Sequence, residues 1–174
     1  CTSSTVIAES DDFQAKVSDC HNNNNCPEGI SIGCWNTSEV TDMASAFYEI
    51  ESFDDSINCW NTARVTDISY MFYKATNFNQ PLNDWNVASV NNMSAMFYKA
   101  SDFNQCLSSW ADKTPPDVSV GNLFVGSGCP DKNPVGNIAP WCQGDNEQCF
   151  DPIAVDCTQC TSSTVIPENG SAFK

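Results

Sequence analysis

The sequence predicts an α/β repeat, a solenoid of 25-residue strand-plus-helix units closed at both ends by disulfide-rich caps. Three observations predict it. The phrase Met71-Phe72-Tyr73-Lys74-Ala75 with Phe78-Asn79-Gln80 returns 25 residues later as Met96-Phe97-Tyr98-Lys99-Ala100 with Phe103-Asn104-Gln105, and a fixed period of this length marks a stacked architecture. Tryptophan keeps the same step at Trp35, Trp60, Trp85 and Trp110. The 11 cysteines fall mostly before and after the periodic stretch, where a stack needs caps over its apolar ends.

Residues 1–31 form the entry cap of this reading. Glu9 to Val17 is expected to be a short amphipathic helix, with Ser10 or Asp11 as N-cap and Phe13 and Val17 on one face. Cys20 and Cys26 bracket the polar run His21-Asn22-Asn23-Asn24-Asn25, and that spacing predicts a local disulfide across a loop. A metal site on His21 is the alternative, weakened by the absence of a second histidine.

Residues 32–125 form the repeat region. The aliphatic column is Ile32, Ile57, Leu82 and Leu107, the valine column Val40, Val65 and Val90, and the aromatic columns Phe47, Phe72 and Phe97 and Phe53, Phe78 and Phe103. Trp60–Asp84 and Trp85–Ser109 share 14 of 25 positions. Leu82, Trp85, Val87 and Val90 have the L-x-x-L-x-L spacing of a leucine-rich-repeat strand and its exit turn, with Trp85 and Val87 inward and Asn86 outward. Met93, Met96, Phe97 and Ala100 have the i, i+3, i+4, i+7 spacing of one helix face. Thr41, Thr66 or Asn91, or the residues after them, Asp42, Asp67 and Asn92, are the expected N-caps.

The pattern M-F-x-x-A-x-x-F-N-Q-x-L-x-x-W-N-V-x-x-V, read from Met71 to Val90, resembles the BspA-like leucine-rich repeat of bacterial and protist surface proteins. The resemblance spans about residues 32 to 125. The first unit departs from it, with Ala46-Phe47 for Met-Phe and Phe53-Asp54-Asp55 for Phe-Asn-Gln. It implies an exported surface protein, often adhesive, and brings no catalytic residues.

The rhythm breaks at Thr114-Pro115-Pro116 and resumes two residues late through Val118, Val120, Leu123 and Phe124. Gly126-Ser127-Gly128-Cys129-Pro130 ends the last unit. Residues 126–159 form the Cys-rich exit cap. Residues 160–174 start a second tandem unit, because Cys1-Thr2-Ser3-Ser4-Thr5-Val6-Ile7 recurs as Cys160-Thr161-Ser162-Ser163-Thr164-Val165-Ile166 at an offset of 159. One unit then runs from Cys1 to Gln159 and holds ten cysteines, an even number. The start at Cys1, without Met or leader, predicts a processed or excerpted segment.

Composition bounds the function. With 22 acidic and 7 basic residues the formal charge is −15, and that field repels phosphate backbones, so nucleic acid is not expected as a partner. No apolar run approaches the ~20 residues of a spanning helix. Cysteine at this density predicts disulfides and an extracellular or cell-surface setting. The disulfide candidates are Cys20, Cys26, Cys34, Cys59, Cys106, Cys129, Cys142, Cys149, Cys157 and Cys160. Cys34 and Cys59 hold the same place in adjacent units, and a strand spacing of ~4.8 Å predicts a rung-to-rung bond. Cys106 is expected to bond Cys129 or another cap cysteine.

Asn36-Thr37-Ser38, Asn92-Met93-Ser94 and Asn169-Gly170-Ser171 are glycosylation candidates, with a hydrogen-bonded ladder at Asn36 and a helix cap at Asn92 as the competing roles. The Tyr48, Tyr73 and Tyr98 column reads as packing rather than as a binding stripe. Asp54, Asp55, Asp145 and Glu147 lack calcium-loop spacing and read as solvated surface. No nucleophile–base arrangement forms around the sole His21, so no catalytic residue, cofactor or metal is expected. The expected function is an extracellular structural or adhesive module, one unit of a tandem-repeat protein or fibre, with other copies of itself as partners. The rival is a discrete domain that recognises a protein or glycan along the repeat face. An ice-binding Asn/Thr ladder is a weaker third, since Val87 replaces Thr37 and Thr62.

Overall fold

The computed structural model describes residues 6–7, 12–130 and 141–142. The 25-residue period is real in space, but the unit is not a strand plus a helix. Among the described residues there is no strand and no sheet. Parallel pairing is confined to isolated bridges, Val6 to Asn36, Asp42 to Asp67, Asp67 to Asn92 and Asn92 to Ser119. The α-helices are α1, Phe13–Asn23, and α2, Ser108–Ala111. Single 3₁₀ turns lie at Pro27–Gly29 and Ile32–Cys34, and the rest of the described residues are in turns, bends, coil and those bridges.

Helix α1 is capped by Asp12, not by Ser10 or Asp11: the Asp12 side chain accepts from the Ala15 N–H at 3.0 Å, so the helix starts at Phe13. Glu9, Ser10 and Asp11 lie outside the described residues. The helix also runs on through His21 to Asn23, which the sequence reading places in a loop, and stops where Asn24 turns left-handed at φ 52°. The amides of Asn22 and Asn23 bond back to Ser18 and Asp19, so the polar run extends the helix. Phe13, Val17 and Cys20 form its buried face, and Phe13 meets the edges of Trp35 and Trp60 at 6.1 and 5.3 Å.

The predicted strand fails because its donors are bonded elsewhere. The Trp85 N–H goes to the Leu82 carbonyl at 3.1 Å and the Val90 N–H to Val87 at 3.1 Å, both within one coil. The Asn86 N–H goes to the Thr62 hydroxyl and the Ala88 N–H to the Asn86 side chain. With these four donors engaged, no regular ladder forms between neighbouring coils here.

The predicted helix fails at two positions per coil. Ser45, Tyr70 and Ala95 have φ of 58°, 57° and 54°, and Glu49, Lys74 and Lys99 have 58°, 57° and 57°. Left-handed residues four apart break an α-helix into successive turns. Met96, Tyr98, Ala100 and Phe103 donate to the residue three back, while Met93, Ala95, Phe97 and Lys99 donate across to Ser119, Gly121, Leu123 and Val125 of the next coil. The same alternation occurs in the two preceding coils. Turns chained in this way bury the same i, i+3, i+4, i+7 positions as a helix. The expected helix caps accordingly have another role: Asp42, Asp67 and Asn92 each accept the N–H two residues on, folding local turns.

The core is a set of aromatic columns. Trp35, Trp60, Trp85 and Trp110 stack at 6.3–6.4 Å, within 12° of parallel. Phe47, Phe72, Phe97 and Phe124 stack at 5.3–5.6 Å, and each of the first three presses on Phe53, Phe78 or Phe103 at 3.8–3.9 Å. Trp35 donates to the Ile30 carbonyl just before it, while the other three indoles of the column reach one coil back: Trp60, Trp85 and Trp110 donate to the carbonyls of Ile32, Ile57 and Leu82 at 2.9–3.1 Å. That bond gives the aliphatic column a second duty and explains tryptophan at this place, since a buried indole N–H needs a partner.

The last coil closes the stack with glycine. Gly126 has φ 78° in the place of Lys99. At Gly128 an added Cβ would lie 2.7 Å from the Ser101 carbonyl oxygen, so the backbones touch there. Trp141 is buried against Trp110 at 6.5 Å, tilted by 58°, and Cys142 is bonded to Cys129. No helix of the described residues is long and apolar enough to cross a membrane.

Candidate functional site

The stacked turns present one continuous outward feature, a row of tyrosines. Tyr48 and Tyr73 lie 4.8 Å apart with planes 1° from parallel, and Tyr73 and Tyr98 lie 4.9 Å apart at 6°. Tyr70 joins the row from the side, 5.9 Å from Tyr73. Tyr48 and Tyr70 are 40% and 44% exposed, so the row is not closed packing. It follows from the backbone: a left-handed residue sits just after each tyrosine of the column, and the N–H of each such residue (Glu49, Lys74, Lys99) holds the next coil.

Cations flank the rings. Lys74 Nζ lies 5.3 Å from the centre of Tyr73 and Lys99 Nζ 5.5 Å from that of Tyr98. Lys74 also bonds Glu49 of the preceding coil at 2.5 Å, and that hydrogen bond raises its pKa above the usual 10.5. Tyr48 is raised above its usual 10.0, first by desolvation beside the neighbouring ring and then by the Glu49 charge. A second inter-coil ion pair joins Arg64 to Glu39.

His21 sits beside this row in a groove of about 490 Å³ between α1 and the first coil, lined by Gln14, Ser18, Ser45, Tyr48 and Glu49 among others. Its Nε2 is 3.2 Å from the Ser52 hydroxyl and its ring meets the edge of Phe53. Among the described residues no group of three His, Cys, Asp or Glu is placed to hold a metal ion. Asp54 accepts the Asn79 N–H of the next coil at 2.9 Å, and Asp55 is exposed. Asp145 and Glu147 lie outside the described residues.

The cysteine candidates divide into three groups. Cys20–Cys26 ties the end of α1 to the following turn, and Cys129–Cys142 ties the last coil to Trp141. Cys34, Cys59 and Cys106 are also disulfide-bonded; Cys129 is taken by Cys142, so the expected Cys106–Cys129 bond does not form. Cys149, Cys157 and Cys160 lie outside the described residues.

The sequons fare differently. Asn92 Nδ2 donates to Asp67 at 3.0 Å while its Oδ1 accepts from Ser94, so both ends of that amide are engaged within the stack. Asn36 uses Oδ1 toward the Ser38 N–H, and Thr37 is buried with its hydroxyl on the Asn61 carbonyl. Asn169 lies outside the described residues. Thr62 repeats the Thr37 bond on Asn86, so the Thr ladder faces inward.

The left-handed positions Ser45, Tyr70 and Ala95 carry no signal in the sequence, since none is glycine and nothing in composition marks them. The architecture defines the chain as a repeat protein of stacked 25-residue coils, locked by aromatic columns. It belongs to the family described as Mycoplasma protein of unknown function, DUF285, which matches residues 12–127. No curated protein and no solved structure matches the chain.

Proposed function

We propose that the chain is an extracellular structural or adhesive module, one unit of a tandem-repeat surface protein or fibre, with no catalytic centre. The observation that carries this reading is that the segment which recurs 159 residues on is a working part of the stack. Val6 pairs with Asn36, and Ile7, 1% exposed, bonds its carbonyl. A second copy of that segment beginning at Cys160 is what the start of another unit requires. The disulfides support an oxidising, extracellular or cell-surface setting, and the resemblance to BspA-like surface proteins points the same way. Sequencing the full encoding gene tests it: further units at the same offset are expected, and a gene with one unit overturns the tandem reading.

The rival reading is a discrete protein- or glycan-recognition domain. The partly exposed tyrosine row with Lys74 and Lys99 favours it, since rings beside cations suit both sugars and acidic peptides. Screening the protein against immobilised glycans, with Tyr73→Ala as the control, separates the two: a hit lost in the variant supports recognition.

A further inference from the structure

The tyrosine row offers a ligand an open ring face at one end. Its rings lie parallel and 4.8–4.9 Å apart, too close for anything to enter between them, so each covers its neighbour's face. At the exit end the column continues past Tyr98 into Val125, whose carbonyl accepts the Lys99 N–H, and Lys99 Nζ lies 5.5 Å from the Tyr98 ring centre. At the entry end no coil precedes Tyr48. Helix α1 stands there instead and leaves the groove of about 490 Å³. The lining of that groove comes from α1 and residues 45–52, and none of it from the coil that carries Tyr73. The groove therefore lies on the side of the Tyr48 ring that Tyr73 does not cover. Tyr48 is accordingly exposed, whereas Tyr73 and Tyr98 are half-buried.

The rest of the groove is polar. Gln14, Ser18, His21 and Asn22 fall at i, i+4, i+7 and i+8 and share one face of α1. Ser45 and Ser52 of the first coil form the other wall, and the His21–Ser52 bond at 3.2 Å joins the two. The side chains of Gln14 and Ser45 carry no hydrogen bond among the described residues. Besides Tyr48, only Ala46 and Ile50 in the lining are apolar, and the lining has no Lys or Arg. One aromatic face beside free amides and hydroxyls matches a pyranose, which has an apolar face of C–H groups and a rim of hydroxyls. Charge then selects the kind of sugar. Glu49 and Glu51 belong to the lining of a chain of formal charge −15, and that field repels an acidic one.

We propose that this groove is a binding site for a neutral glycan, with one pyranose lying on the open face of Tyr48 and hydrogen-bonded by Gln14 and Ser45. This rests on the recognition reading and narrows it to one end of the row and one ligand class. Isothermal titration of the full chain with cellotetraose, mannotetraose and tetra-N-acetylchitotetraose is expected to show binding of at least one, and tetragalacturonic acid is expected not to bind. For a sugar that binds, Tyr48→Ala should weaken affinity about 10-fold and Gln14→Ala about 3- to 10-fold, through a lost ring contact and a lost hydrogen bond. Tyr48→Phe keeps the ring face and should retain binding, and Tyr98→Ala, at the far end of the row, should leave it unchanged. Near-UV circular dichroism of the tryptophan stack identifies folded variants. No binding of any of the neutral sugars, tighter binding of the acidic one, or equal losses for Tyr48→Ala and Tyr98→Ala overturns the proposal. Equal losses would leave recognition along the row standing, and the recognition reading itself falls only when the screen of immobilised glycans finds no ligand either.

Discussion

The two sides of each coil are held to their neighbours by different kinds of bond. On the turn side the locks are backbone to backbone: the N–H groups of residues 43, 45, 47 and 49 donate to the carbonyls of 67, 69, 71 and 73, and the pattern repeats one and two coils later. On the tryptophan side the locks are side chain to backbone, from indole N–H and threonine hydroxyl to carbonyls of the adjacent coil. A backbone lock is indifferent to the side chain above it. One left-handed column accordingly holds Ser45, Tyr70, Ala95 and Asn122, and the other Glu49, Lys74, Lys99 and Gly126. A side-chain lock needs its residue, and the tryptophan column runs unbroken through four coils.

Substitutions on the two sides should therefore differ in cost. The largest loss is expected for Trp85→Ala, about 3–5 kcal/mol from the cavity left by a fully buried side chain, read from urea unfolding. Gly33→Ala, also beside the tryptophan column, sets a Cβ against the Ser56 carbonyl oxygen and should cost about 1–3 kcal/mol by overpacking. Trp85→Phe keeps part of the ring but removes one of the two donors to the Ile57 carbonyl, the Trp60 N–H remaining, and about 0.5–1.5 kcal/mol should be lost. If Trp85→Phe costs nothing, the side-chain lock is not what holds this side.

The turn side should respond in the opposite direction. Ser45→Gly relieves a left-handed residue at φ 58°, and stability is expected to be unchanged or raised by up to about 1 kcal/mol after the entropy of glycine is subtracted. In a helix the same change would be destabilising, so a clear loss would restore the helical picture. The smallest effect belongs to Lys74→Met. The Lys74 pKa is raised by its bond to Glu49, so its contribution is full below the usual 10.5 and disappears as pH rises through the higher folded value. The unfolding midpoints of the two proteins should differ slightly at neutral pH and low salt and converge at strongly alkaline pH.

The inward residues are legible in the sequence because burial follows period. Trp85, Val87, Met93, Met96, Phe97 and Ala100 fall at the expected inward positions and all are buried. The conformation that buries them is not legible, because chained turns with a left-handed residue every four and a true helix place apolar residues at the same spacing. The tyrosine row reads as packing for a related reason: its exposure depends on which way each turn opens. The Cys20–Cys26 spacing implies a local bond that is present.

By itself the sequence determined the 25-residue step, the columns that stack and the recurrence of the Val6–Ile7 segment at Val165–Ile166. These are facts of periodicity, and identical neighbours repeated at a constant step bury identical residues. The tertiary structure alone decided whether each coil would be strand, helix or turn. That choice lies in where each backbone N–H finds its acceptor, and here the acceptor on the turn side belongs to the next coil.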